Sequence, residues 1–185
     1  MAVGPGLRNV ALLAKILRRL KHENFGSVVL DAEALNWLAK FKLKPLPTWI
    51  LTPHEGELSR LLGIPSAKIR ENRREAILQA QKKFDCVILL KGHRTLIADG
   101  KQILEIQAGN PALAKAGTGD VLTGLIAGLL SQGLPSSQAA ALGADLHGRL
   151  ADEWIRQGHD VLSLMASDLV GLLPVVLNRL RKSSR

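Results

Sequence analysis

Three short apolar runs, at 27–32, 49–53 and 86–91, alternate with longer stretches of helical periodicity, and this alternation constrains the fold more than any other feature of the chain. Each run is only five or six residues long, and Val, Ile and Leu dominate its centre. That is the pattern of a strand buried on both faces. Between them, Leu7, Val10, Ala11, Ala14, Leu17 and Leu20 recur at helical spacing. Residues 33–39 and 54–62 read as short helices, and 66–84 as one longer helix with Ser66 as its N-cap. Strands separated by helices imply an α/β fold with a mainly parallel sheet. Asp99-Gly100 between 95–99 and 102–107 signals a hairpin. Beyond residue 117 the pattern is helical throughout: one helix over about 119–131, a second capped by Ser136 or Ser137, and a third from about Ser167 to Arg181. The expected organisation is one domain over 1–181 followed by a basic tail at 182–185.

With 46% hydrophobic residues among 185, the chain can bury a substantial core. Aromatic residues make up only 3%, which leaves little for stacking on unpaired bases. The net charge of +9 is concentrated in Arg8, Lys15, Arg18, Arg19 and Lys21 near one end and Arg179, Arg181, Lys182 and Arg185 at the other. These read as solvated helix faces. No reader motif accompanies them, so nucleic acid is not an expected partner. No apolar run has the length of a membrane span. The single cysteine, Cys86, lies in an apolar run and is expected to be a buried, inert thiol, as suits a reducing, cytoplasmic compartment.

The segment from Gly109 to Asp120 carries the chemistry. Gly117 and Gly119 allow unusual backbone angles and close approach of a ligand to the main chain. The free N–H groups of the following helix favour an anion such as phosphate. The helix has an apolar stripe of Val121, Leu122, Leu125, Ile126, Leu129 and Leu130, with Gly124 and Gly128 expected to admit a closely packed neighbour. Asp120 in the first turn is either a capping acid or a base that takes a proton from a hydroxyl attacking phosphorus. The order of residues is not that of a Walker-type loop.

Ala116-Gly117-Thr118-Gly119-Asp120 resembles the Gly-x-Gly-Asp anion hole of ribokinase-like kinases. Gly4-Pro5-Gly6-Leu7, Leu30-Asp31-Ala32-Glu33-Ala34-Leu35, Leu51-Thr52-Pro53-His54-Glu55-Gly56-Glu57, Leu90-Lys91-Gly92 and Gly109-Asn110-Pro111 are similar, in order, to motifs of one branch, the NAD(P)H-hydrate dehydratases. The resemblance implies a ribokinase-like three-layer α/β/α fold. It also implies dehydration of (S)-NAD(P)H hydrate to NAD(P)H, through phosphorylation of the ring hydroxyl by ADP (or ATP) with Mg²⁺, then loss of phosphate. By the same resemblance Asp120 is the general base. Ala116, Gly117, Thr118 and Gly119 form the anion hole. Lys91, Gly92, His93, Arg94, Thr95 and Gly119 contact the nucleotide, with Arg94 available to a phosphate. Gly4, Gly6, His54 and Asp120 contact the hydrated nicotinamide. Thr52 and Glu57 are lesser candidates, Glu57 through a water on Mg²⁺. No metal ligand is assigned.

Considered without the resemblance, His54 is a helix-start residue, Lys91 a solvated charge, and Asp31 either a ligand contact at a strand end or a helix cap. Glu55 stands where the family pattern has a second proline, and Arg8 where it has glycine. Met1 falls close to the first motif, so the chain is expected to lack N-terminal elements of the family and to expose a sheet edge. Homo-oligomers and an epimerase acting on the same hydrate are further partners consistent with the family. The alternatives are a ribokinase-like small-molecule kinase and an inactive nucleotide-binding relic.

Overall fold

Among the described residues six short strands form one sheet: β1 (Ala2–Val3), β2 (Val29–Leu30), β3 (Ile50–Leu51), β4 (Val87–Leu90), β5 (Leu96–Ala98) and β6 (Ile103–Glu105). The computed structural model of the protein describes residues 1–41 and 43–183. The strands lie in sequence order; β1 to β4 pair in parallel, and β5 and β6 complete the sheet antiparallel. The hairpin expected at Asp99-Gly100 is the β5–β6 turn, with Asp99 Oδ1 accepting from the N–H groups of Lys101 and Gln102.

Strand alternation divides the apolar side chains into two layers. Leu30, Leu51, Ile88, Leu90 and Leu96 face a core built with α1 (Val10–His22), α2 (Glu33–Phe41), α3 (Glu55–Leu62), α4 (Ser66–Glu71) and α5 (Arg73–Phe84). Val29, Ile50, Val87, Leu89 and Ile97 face a second core built with α6 (Thr118–Ser131) and α7 (Ser136–Arg156). A third cluster joins α7, the short turn Pro111–Leu113 and α8 (Ala166–Ser183). The result is the expected three-layer α/β/α arrangement. Each fully buried Leu or Ile contributes roughly 1.5–3 kcal/mol to holding the layers together. Among the described residues no helix is long and apolar enough to cross a membrane.

Several local expectations need correction. The helix expected over 66–84 is two helices, broken at Asn72, whose backbone leaves the helical region (φ −142°, ψ 77°) and whose side chain caps α5 by accepting from the Glu75 N–H at 3.1 Å. Apolar periodicity ran through the break and concealed it. Ser66 and Ser136 are not caps. Pro65 and Pro135 hold those positions without a side-chain bond, and both serines are already helical. Gly124 and Gly128 are exposed and face no neighbour. The close approach is made instead by Gly143 of α7, where an added Cβ would lie 2.6 Å from Ile126 Cγ1. In the α6 stripe Leu122, Ile126 and Leu130 are buried, and Val121, Leu125 and Leu129 only partly. α8 carries Lys182 and Ser183, which the sequence assigns to the tail; residues 184–185 lie outside the described residues. Cys86 is buried, and burial pushes its thiol well up from the ordinary range, so it is inert as expected. Lys15, Arg18 and Arg19 occupy the exposed face of α1.

Candidate functional site

The carboxyl ends of β1 to β4 deliver Gly4, Asp31, Thr52 to His54, and Lys91 to one edge of the sheet. Open parallel sheets gather ligands at this edge. Asp31 is only 2% exposed and sits at its centre. Its Oδ1 accepts from Lys91 Nζ at 2.7 Å and its Oδ2 from Thr123 Oγ1 at 3.0 Å. One buried carboxylate therefore ties the end of β4 to α6. It is neither a free ligand contact nor a side-chain cap, the two roles expected of it.

Lys91 is not a solvated charge. Its ammonium also lies 3.7 Å from Glu57 Oε2, and an added Cβ on Gly119 would meet it at 3.7 Å. A cation is thus fixed directly beneath the glycine turn. Gly117 is left-handed at φ 85°, and Thr118 and Gly119 open α6 with first-turn N–H groups that have no intrahelical acceptor. The Thr118 hydroxyl donates to the carbonyls of Leu113 and Lys115, each at 2.8 Å, and so folds the preceding loop. Asp120 follows in the first turn; it is exposed and has no side-chain partner among the described residues.

Lys91, Gly92, His93, Arg94, Thr95 and Gly119 line one cavity of about 360 Å³, together with Asn110, Leu122, Ala144, His147 and Gly148. The volume is in the range of small-molecule sites. Arg94 does not reach into it as a free cation: its guanidinium donates to Glu105 Oε1 at 3.2 Å. Three positions that the sequence did not reveal shape the cavity. Asp152 accepts from Gly109 N at 3.0 Å and Asn110 Nδ2 at 2.9 Å, fixing that loop. Gly148 lets Ala108 come so close that an added Cβ would lie 2.4 Å from its carbonyl oxygen. His147 places Nε2 2.9 Å from the Thr118 carbonyl. Burial pushes its imidazole down to about 4, with the Lys91 charge adding to the fall and the Thr118 bond opposing it. The ring is therefore neutral at pH 7. A lone histidine on an amphipathic helix carries no signal for such a role.

The remaining candidates do not line this cavity. Gly4 has φ +130°, and a Cβ there would stand 1.8 Å from the Asp31 carbonyl oxygen, so only glycine fits. Gly6 closes the same turn and is exposed. His54 is the N-cap of α3: its Nδ1 accepts from Gly56 N at 3.0 Å, while Glu57 Oε2 accepts from His54 N at 2.9 Å. The proton then sits on Nε2, 3.6 Å from Glu57 Oε1, on a half-exposed ring. Thr52 is fully buried and donates to the Leu30 carbonyl at 3.2 Å, a tie between β3 and β2. Glu55, the departure from the family pattern, has charge partners in Arg73 at 3.5 Å and Arg70 at 4.0 Å. Among the described residues no group of three or more His, Cys, Asp or Glu side chains could hold a metal ion.

The sequence model for NAD(P)H-hydrate dehydratase matches residues 1–174. The bifunctional NAD(P)H-hydrate repair enzyme Nnr of Moorella thermoacetica is 44% identical over 98% of this chain and 35% of its own length. The ADP-dependent (S)-NAD(P)H-hydrate dehydratase of Neisseria meningitidis serogroup B is 37% identical over 98% of this chain and 62% of its own. The chain thus spans about a third of the first relative and under two thirds of the second. The ADP/ATP-dependent NAD(P)H-hydrate dehydratase of Bacillus subtilis, co-crystallised with ATP/Mg²⁺ and soaked with CoA, superposes with a TM-score of 0.83 at 34% identity, covering 96% of this chain and 65% of that one. The ribokinase-like α/β fold is common to both.

Proposed function

The chain belongs to the NAD(P)H-hydrate dehydratase family, and on that premise we propose that it converts (S)-NAD(P)H hydrate to NAD(P)H at the expense of ADP. One observation carries the proposal: an exposed carboxylate, Asp120, adjoins a glycine turn that stands over the fixed ammonium of Lys91. A carboxylate beside a phosphate site repels the phosphate unless it has a proton to take.

Residues 91–95 and Gly119 hold the nucleotide, and the N–H groups of Thr118 and Gly119 with the Lys91 ammonium stabilise the transferring phosphoryl group. Gly4, Gly6 and His54 orient the hydrated nicotinamide. Asp120 takes the proton of the ring hydroxyl as its oxygen attacks the terminal phosphorus of ADP, and AMP leaves. The ring nitrogen then expels phosphate, loss of a proton from the neighbouring carbon restores the double bond, and NAD(P)H forms. Mg²⁺ would neutralise phosphate charge when bound; this ion characteristically takes one or two carboxylates plus phosphate oxygens. Glu57, whose Oε2 lies 3.7 Å from the Lys91 ammonium at the same sheet edge, is the carboxylate that would face such an ion through a water, leaving Asp120 free to act as the base. A reducing cytoplasmic setting suits the chain's one buried thiol, and an epimerase that interconverts the hydrate's epimers would be its pathway partner.

The test is an absorbance assay of reduced nicotinamide formed from NADH hydrate, Mg²⁺ and either ADP or ATP, with Asp120→Asn alongside. Recovery with ADP that is lost in Asp120→Asn supports the proposal. Soluble, folded protein that binds nucleotide but restores no NADH overturns it.

A further inference from the structure

Arg73, the first residue of α5, has no part in the roles above, yet its guanidinium is committed more fully than any surface charge would be. Nη1 donates to the carbonyl oxygens of His93 and, at 3.4 Å, Arg94. Nη2 donates to those of Leu90 and Lys91, each at 3.3 Å. Nε is buried without a hydrogen-bond partner, and its charge is balanced by Glu55 Oε1 at 3.5 Å. A planar cation with a fixed fork of donors is the side chain suited to collecting carbonyls in this way.

The loop it holds would not keep this shape unaided. Gly92 has φ +144°, and an added Cβ there would meet Arg73 Nη2 at 2.8 Å. Arg94 is left-handed at φ +52°, a conformation that L residues adopt sparingly and that persists where surrounding contacts impose it. A planar trans peptide points its C=O and N–H in opposite directions. With the carbonyls of Lys91, His93 and Arg94 drawn to Arg73, the N–H groups of Gly92, Arg94 and Thr95 point away from it. Residues 91–95 line the cavity, and Arg73 lies behind them.

We propose that Arg73 is a positioning residue that turns the backbone N–H groups of Gly92, Arg94 and Thr95 into the cavity as a concave donor set for a nucleotide phosphate. Such sets of successive N–H groups bind anions without a side-chain cation. Arg94 can then spend its own charge on Glu105, and Glu55 balances the charge of Arg73. The inference rests on the proposed nucleotide role of this cavity.

Two measurements on the full chain test it: hydrogen exchange of the amides of 92–95, and ADP affinity by calorimetry. In Arg73→Ala the exchange of these amides rises, the Kd for ADP increases about tenfold, and the KM for ADP rises while that for NADH hydrate and kcat change little. Arg73→Lys, in which one ammonium cannot serve four carbonyls, falls between the two and carries the test if Arg73→Ala does not fold. Glu55→Gln shifts the ADP Kd in the same direction by less. Unchanged amide exchange, or faster exchange with unchanged ADP affinity, overturns the positioning role while leaving the proposed reaction intact. Wild-type protein that binds neither ADP nor ATP overturns both.

Discussion

The two halves of the site are built by opposite means. On the cavity side the backbone is held from behind: Arg73 gathers the carbonyls of Leu90, Lys91, His93 and Arg94, Asp152 holds Gly109 and Asn110, and His147 meets the Thr118 carbonyl. On the other side Gly6, His54 and Asp120 are exposed, and their order comes from local turns and one capping box. Lys91 and Asp31 are the joint between the halves. A preformed half presents its donors at little reorganisation cost, which suits binding, while the exposed carboxylate lies where a second reactant enters. Binding and chemistry should therefore respond to different substitutions.

The largest effect is expected at Asp120. Asp120→Asn should lower turnover by about 10²–10⁴-fold, the usual worth of a general base. ADP affinity should hold or rise, because a charge that repels phosphate is removed, and the thermal midpoint should change little, because the side chain has no partner among the described residues. Calorimetry and a melting curve on the same preparation check this; a parallel fall in ADP affinity would break the division. Asp31 should show the contrary behaviour. Asp31→Ala leaves the Lys91 ammonium with Glu57 alone, at 3.7 Å, and frees Thr123, and breaking a buried pair typically costs about 3–5 kcal/mol. Urea unfolding should register that loss, and both ADP binding and turnover should suffer, since the joint serves both halves.

The cavity half can be probed by pH. His147 has its imidazole at about 4, against an ordinary 6.5, chiefly through burial. Above pH 6.5 both folded and unfolded states hold it neutral, and its contribution is complete. As pH falls from 6.5 to about 4 the unfolded chain takes up a proton that the folded chain refuses, so stability declines, and below about 4 it declines no further on this account. The gap, at roughly 1.4 kcal/mol per pH unit, makes the loss about 3 kcal/mol. Glu153, drawn down to about 2 chiefly by its bond to Arg156, adds a decline of the same sign in the lower window from 4.5 to about 2. Urea midpoints at pH 7, 6 and 5 measure the first; His147→Gln should flatten the slope between 6.5 and 5, and an unaltered slope would assign it elsewhere.

What the sequence revealed follows the range of the interactions. The strands, the Asp99-Gly100 hairpin and the glycine turn before Asp120 are local: apolar runs, turn chemistry and helix dipoles act over a few residues. The positions missed depend on partners far away. Thr123 reaches Asp31 across 92 residues, Asp152 reaches Asn110 across 42, and Arg73 reaches Lys91 across 18. Nothing in the neighbourhood of these residues marks them. Gly124 and Gly128 were misread for a related reason. Spacing shows that two glycines share a helix face, but tertiary packing decides whether that face meets anything, and here it is Gly143 that does.

The smallest effects test the comparison most finely, because the same substitution can be placed in each half. Gly148→Ala brings a methyl within 2.4 Å of the Ala108 carbonyl oxygen, in the wall of the cavity. Backbone must move, at about 1–3 kcal/mol, as for other overpacked sites, and the ADP Kd should rise with it. Gly6→Ala meets nothing within 4 Å, and its only penalty is the left-handed backbone at φ +71°. That is worth about 1–2 kcal/mol, and the turn can relax because it is exposed. ADP affinity should stay at the wild-type value, and the KM for NADH hydrate should carry whatever change appears. If Gly6→Ala weakens ADP as much as Gly148→Ala does, the halves are coupled through more than Lys91 and Asp31. The loop at 4–6 would then belong to the nucleotide side as well.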